Sequence, residues 1–484
     1  MSNDIVYRSA SDLATAIRAG ELSPVAVVEA FLDRIDAVDD EVNAWVTVCA
    51  EQARERALEA ERAVERGDDL GPLHGVPVAI KDLTELEGVG LTYGAPPFAD
   101  YVAERDAVVV QRLKEAGAIP LGKTNTPEFG LRTVTNNDLV GPTATPFDPE
   151  RNAGGSSGGS AAAVGAAMAP IAQGSDAGGS IRIPAAFCHV VGLKPTYGRV
   201  PVDSRPNAFG SHTPMVHEGP IARTVEDAAT MLDVLAGADD RDPFSIPTGD
   251  EPFAAAVDRD ASDLDVGFSP DLGIFPIDDR IETGVERGVD GLERAGLTIE
   301  DVEVDLGQDL ETLVEETSAP QWEANIAALA ERLEEAAGVE ITGEHRDQFP
   351  DHVSRMAEDG AERSAVEFLR ADEARTDVYD GVEAALEGRD LLACPVTTVP
   401  PFEHGIEGPS EVDGVAVNPE SGWFLTFVFN LTGHPAVSVP AGLVDGLPVG
   451  LQIVGHRHAE RDVIAAAAAL EREQPWHDDY PWAK

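Results

Sequence analysis

The spacing of apolar and polar positions divides the chain into helical ends and an alternating centre. Residues 11–19 and 24–38 repeat apolar side chains at helical intervals, and Ser23 ahead of Pro24 reads as an N-cap. A longer helix is predicted over residues 43–65, so residues 1–70 form a helical N-terminal segment. From Gly71 the pattern changes. Short apolar runs predict strands at 76–80, 118–122 and 170–174, with helices near 107–116 and over 160–167 and a long loop at 125–152. Thr224-Val225-Glu226-Asp227 reads as a capping box opening a helix that ends at Leu235.

Residues 264–268, 280–296 and 298–304 read as strand, helix and strand. Residues 308–388 are acidic and helical and carry no recognisable chemistry; they are expected to cover the core and shape access to a site. Strands return at 391–396, 436–439 and 449–454 before a closing helix at 460–473. The expected fold class is α/β, a large mixed central sheet with helices on both faces. With no linker or repeat, residues 1–484 read as a single domain: a helical segment (1–70), a catalytic core (71–240), a variable and mostly helical region (241–390) and the C-terminal part of the core (391–484).

Charge changes this picture most. The formal net charge is −53, from 88 acidic and 35 basic residues, and only five of the basic residues are lysine. Self-repulsion on that scale opposes compaction unless salt screens it, and the Debye length falls to about 3 Å at 1 M. An acidic, lysine-poor chain of this kind resembles the cytoplasmic proteins of salt-accumulating microbes. The acids are spread along the whole length and no basic stripe offsets them, which disfavours nucleic acid as a ligand. Cys49, Cys188 and Cys394 form neither a disulfide framework nor a cysteine zinc site. The N-terminus lacks a signal-peptide pattern and no apolar run reaches membrane-spanning length, so the expectation is a soluble cytoplasmic protein without membrane contact.

The candidate chemistry lies in one lysine and two glycine-serine segments. Lys81 ends the apolar run at 76–80, in a chain that otherwise prefers arginine. Arginine stays protonated, so a site that must abstract a proton has to keep lysine; pairing of Lys81 with Asp82 or a helix end is the simpler alternative. The segment GGSSGGS (154–160) runs directly into a small-residue helix, which argues against a flexible linker. It lacks the Gly-Lys-Ser/Thr ending of a phosphate loop. It matches GxSxG, but two prolines and three charges precede it where a nucleophile elbow needs a buried strand. The second segment, GSDAGGS (174–180), does follow a strand-like run, and its Ala177-Gly178-Gly179-Ser180 backbone offers unobstructed N–H groups for an oxyanion. Ser180 is the natural nucleophile there. Arg182 could pair with Asp176 to hold the turn, or form only a weak surface pair. Among the eleven histidines, His456 and His458 form the one close pair and lack a third ligand at metal-site spacing, while His217 could line the pocket.

These segments together resemble the signature of the amidase signature family. LHGVPVAIKD (73–82), GKTNTPEFG (122–130), VGLKPTYGR (191–199), GPIARTVED (219–227) and LPVGLQ (447–452) agree with it, so the resemblance spans most of the chain. It implies the family's fold and a Ser-Ser-Lys triad, with Lys81 as base, Ser156 as a bridging serine held by a cis peptide, and Ser180 as nucleophile. It also implies an oxyanion hole from Ala177, Gly178, Gly179 and Ser180, supported by Ser157, Asp176 and Arg182. The implied activity is hydrolysis of a small-molecule amide through an acyl-enzyme, without metal or organic cofactor. Family relatives are often dimers, which leaves a homodimer open. Within the family, the A subunit of the aminoacyl-tRNA amidotransferase, which releases ammonia from glutamine for a partner, is the alternative. The missing tyrosine-rich stretch before residue 391 and the segment NTPEFG (125–130) favour a free-standing amidase. The acyl pocket is expected from residues 125–145, 200–217 and 308–388.

Overall fold

A computed structural model describes residues 5–212 and 215–483. Its frame is one eleven-stranded sheet: β1 (Trp45–Val48), β2 (Pro77–Lys81), β3 (Ile119–Thr124), β4 (Ile171–Asp176), β5 (Val191–Lys194), β6 (His217–Ala222), β7 (Asp265–Phe268), β8 (Thr298–Asp301), β9 (Leu391–Pro395), β10 (Ala436–Val444) and β11 (Leu447–Gly455). Their spatial order is β1-β3-β2-β4-β6-β5-β10-β11-β9-β7-β8. β2 pairs in parallel with both β3 and β4, and β9 with β7, whereas β4–β6, β5–β10 and β10–β11 are antiparallel, so the sheet is mixed as expected.

Helices α1 (Ala10–Arg18), α2 (Pro24–Val42), α3 (Ala50–Arg66), α4 (Val108–Glu115), α5 (Gly158–Gly165), α6 (Arg182–Phe187), α7 (Val225–Leu235), α8 (Asp279–Arg294), α9 (Ala319–Ala337), α10 (Asp351–Glu362), α11 (Ala365–Leu386) and α12 (Glu460–Glu473) surround it. Alternation along β11 shows that both faces are covered. A Cβ on Gly284 or Gly288 of α8 would meet Val449 or Leu451, whereas a Cβ on the intervening Gly450 would meet Ala186 of α6. The buried apolar core runs from Ile5 to Tyr480, so the ends of the chain close on the same interior. Among the described residues no helix is long and apolar enough to cross a membrane.

Several expectations need correction. The helix predicted over 43–65 begins only at Ala50, because Asn43 ends α2 in the left-handed region (φ 56°) and the β-branched, aromatic run at 45–48 pairs with β3 as an edge strand. Strands β5 and β6 were not predicted from spacing. The 125–152 loop carries a short hairpin, Ala144–Thr145 with Asp148–Asn152. The capping box is only half made: Thr224 accepts the Asp227 N–H at 3.1 Å, but the Asp227 carboxylate accepts the Ala10 and Ser11 N–H groups at 2.7 and 2.9 Å, capping α1 instead.

Candidate active site

Lys81 is fully buried because β2 lies inside the sheet, between β3 and β4. Its Nζ lies 2.7 Å from Ser156 Oγ, 3.0 Å from Ser175 Oγ and 3.4 Å from the Ser175 carbonyl. Burial pushes the amine down to about 7, against the nearby carboxylates Glu218 and Asp176, which favour its charged form. Asp82 does not pair with it. That carboxylate turns to Lys123 at 3.4 Å and accepts the Thr92 N–H at 3.1 Å, so the simpler reading of Lys81 fails. Gln173 links the strand to Glu218: its Oε1 accepts the Lys81 N–H at 3.0 Å and its Nε2 donates to the Glu218 carboxylate, whose pKa burial raises to about 7.

Ser156 stands in the turn that opens α5, and the Gly155–Ser156 peptide is cis. The segment is packed, not a linker: Ser156 and Ser157 are buried and the Gly158 N–H donates to Thr135 Oγ1 at 3.1 Å. Gly130 (φ 73°) passes so close that a Cβ there would lie 3.1 Å from Ser156 Oγ and 2.6 Å from the Leu83 side chain, which excludes a larger residue. Ser157 joins the two glycine-serine segments. Its Oγ donates to the Ser175 carbonyl at 3.2 Å, and its N–H donates to the Ser180 carbonyl at 3.1 Å.

Ser180 lies in the turn from β4 into α6, buried to 8 % exposure. Asp176, at the end of β4, organises this turn: its carboxylate accepts the Gly179 N–H at 2.8 Å and the Ile181 N–H at 3.2 Å. Both its oxygens also receive Arg182 at 3.0 Å. Although burial pushes the Asp176 carboxyl up, the Arg182 guanidinium holds it well below the ordinary range. The pair is fully buried, so the weak surface bridge is excluded, and Arg182 is satisfied further by Gln452 Oε1 (2.6 Å), Asn430 Oδ1 (2.7 Å) and the Thr426 carbonyl (2.9 Å). One expected donor drops out: the Gly179 N–H is taken by Asp176, which leaves those of Ala177, Gly178 and Ser180.

Thr426 and Asn430 close the turn from the far side. Thr426 Oγ1 donates to the Gly178 carbonyl at 2.7 Å, and a Cβ at Gly179 (φ 131°) would strike that oxygen at 2.0 Å. Asn430 Nδ2 donates to the Asp176 carboxylate at 2.8 Å. His217 faces this network rather than the pocket, with Nδ1 3.1 Å from the Asp176 carbonyl and Nε2 3.3 Å from Lys194. His456 sits apart, 3.0 Å from the Arg389 carbonyl.

Ser180 opens into two cavities. One, of about 220 Å³, also touches Ser156 and Ser175 and reaches Trp322 and Ile326 of α9. The other, of about 590 Å³, runs from Gly178 and Ser180 between residues 130–133, a π-helical turn at Leu313–Ser318, and helices α9 and α10. The region 308–388 thus shapes access, as expected. Of the described residues of the 200–217 stretch, Gly210 and Val216 line the smaller cavity, and the unanticipated wall is residues 407–427, including Phe424 and Phe427. Ser175, Gln173, Glu218, Thr426 and Asn430 were also missed. Ser175 and Gln173 could have been found, since they lie within or directly before the glycine-serine segment; the others join the site only through long-range packing.

A family model described as Amidase matches residues 26–464. An acylamidase of Rhodococcus erythropolis is 37 % identical over 98 % of this chain and 97 % of its own. The A subunit of a glutamyl-tRNA(Gln) amidotransferase from Carboxydothermus hydrogenoformans is 36 % identical over 99 % of both. Among solved structures, a bacterial aryl acylamidase superposes with a TM-score of 0.94 at 35 % identity, covering 98 % of each chain. The glutamyl-tRNA(Gln) amidotransferase A subunit of Thermotoga maritima gives 0.74 at 30 % identity, covering 94 % of this chain and 92 % of that one. With this architecture and a family match over nearly its whole length, the chain belongs to the amidase family.

Proposed function

We propose that the protein hydrolyses carboxylic amides through an acyl-Ser180 ester, with Lys81 as base and Ser156 as proton relay. One observation carries this reading: a fully buried amine 2.7 Å from a serine hydroxyl, with no carboxylate oxygen of the described residues in hydrogen-bond contact. An amine whose pKa is near 7 is uncharged in a large fraction of molecules at neutral pH and can accept a proton. Ser180 Oγ attacks the amide carbon as its proton passes to Ser156 Oγ and the Ser156 proton passes to Lys81 Nζ. The N–H groups of Ala177, Gly178 and Ser180 face the developing oxyanion. Collapse breaks the C–N bond while the Lys81 proton returns through Ser156 to the departing nitrogen, and water then hydrolyses the ester by the same relay.

Three observations favour a free-standing amidase over a glutamine-hydrolysing component of an amidotransferase. The fold is closer to the aryl acylamidase than to the Thermotoga amidotransferase chain. The cavity walls include Trp322, Phe424 and Phe427. The arginines of the larger cavity are already engaged, Arg132 by Glu407, Arg355 by Glu420 and Arg363 by Glu323, so a glutamine carboxylate finds no free arginine among the described residues of that wall, although Arg332 lines the smaller cavity. Near-equal identity to an amidotransferase chain keeps that function as the competing reading. An assay of aryl and aliphatic amides and glutamine in molar salt separates the two. Turnover of the simple amides by the isolated chain supports the amidase; glutamine hydrolysis alone, requiring a partner and charged tRNA, overturns it.

A further inference from the structure

His352, in the first turn of α10, lines the same cavity wall system as Ser180 yet is only 8 % exposed, and its Nε2 is buried without a hydrogen-bond partner. Buried polar side-chain atoms are ordinarily satisfied, so an orphan ring nitrogen on the wall of a substrate-sized cavity points to a ligand that completes it. The charged neighbours do not compete for it. Arg132 Nε donates to Glu407 at 2.9 Å and Arg355 Nη2 to Glu420 at 2.6 Å, closing two ion pairs around the imidazole. Burial pushes the ring below its ordinary pKa, which keeps it neutral.

Resting on the amidase reading above, we propose that His352 is a specificity-determining residue whose Nε2 hydrogen-bonds a hydroxyl group carried by the otherwise apolar body of the amide substrate. The rest of the cavity defines that body: Trp322, Met356, Phe424 and Phe427 offer apolar and aromatic surface. A hydroxyl suits the site because Nε2 of a neutral imidazole donates in one tautomer and accepts in the other, and a hydroxyl can answer either. A carboxylate does not suit it. Every described arginine on the wall is paired, and Glu315, Glu316 and Asp359 add further negative charge.

The test is equilibrium binding, measured calorimetrically in molar salt on full-length Ser180→Ala protein so that turnover does not enter. The probes are two matched pairs, para-hydroxy- and para-methylphenylacetamide, and para-hydroxy- and para-methylacetanilide, which present the substituent from the acyl or the amine side. In at least one pair the hydroxyl compound should bind about fivefold more tightly or better. Adding His352→Phe should bring that ratio close to one, while His352→Gln, which keeps a polar atom in reach, should preserve part of it. An unchanged ratio in the His352→Phe background, or no binding of any probe, overturns the proposal. Turnover of the same compounds by the unsubstituted protein is read separately: selective binding without hydrolysis would reject the amidase reading and leave the His352 contact standing.

Discussion

The Lys81 amine and the Ser156 hydroxyl stand 2.7 Å apart, while Asp82, the next residue in the chain, turns its carboxylate to Lys123 on the neighbouring strand. Among the described residues the Lys81 amine is thereby left without a counter-ion in direct contact, and its proton affinity is set by burial and by Glu218 and Asp176 at longer range. The rate should follow that titration. kcat/KM is expected to rise with pH through a midpoint near 7, and Glu218→Gln, which removes a charge favouring protonated Lys81, should move the acid limb to lower pH. A profile unchanged by that substitution would show that another group titrates.

Burying this amine opposes folding, with a definite pH signature. The folded-state pKa is depressed to about 7 from 10.5, so between those values the unfolded chain holds more protons and stability rises with pH. Lys81→Met is therefore expected to abolish turnover yet raise the melting temperature. The gain should be fully present below pH 7 and shrink as the pH approaches 10, which thermal melts across that range would read.

Thr426→Val tests whether the oxyanion turn is held from the C-terminal wall. The substitution keeps the shape of the side chain and removes the 2.7 Å hydrogen bond to the Gly178 carbonyl. Leaving that carbonyl unsatisfied costs on the order of 1–3 kcal/mol, part of it in the positioning of the N–H donors. The expected result is a loss of about tenfold in kcat with KM changed little; a change confined to KM would place Thr426 in substrate binding instead.

Salt dependence tests the reading of the net charge. Three of the five lysines, Lys81, Lys123 and Lys194, are fully buried, and Lys114 is paired with Asp106 at 2.6 Å, so positive charge at the described surface is almost entirely arginine. With a formal charge of −53, the melting temperature and activity should fall on dilution from molar salt to about 0.1 M. Full activity and an unchanged melting temperature at the lower salt would contradict this.

Much of the frame was legible because local signals agreed with tertiary structure. The apolar run ending at Lys81 became the interior strand β2, and the closing helix formed over residues 460–473 as its periodicity indicates. The run at 45–48 misled because four residues of strand between two helices read at helical spacing when their partner, β3, is more than seventy residues away. The site divides the same way. Lys81, Ser156, Ser157, Asp176, Ser180 and Arg182 lie in segments whose composition is unusual in itself. Thr426, Asn430 and Glu218 occupy ordinary stretches, and they reach the site only because β10 and β6 bring distant chain alongside β4 and β5. The Gly179 N–H was misassigned because composition shows which backbone groups are unobstructed but not which are already bonded.

The most direct test of the relay is the rate at which a fluorophosphonate labels the protein, with the modified residue located by peptide mass. The relay predicts a single adduct on Ser180 in the unsubstituted protein, forming faster as pH rises through about 7, and a rate at least about a thousandfold lower in Lys81→Ala. An adduct on another residue, or Lys81→Ala protein labelled at the original rate, would contradict it.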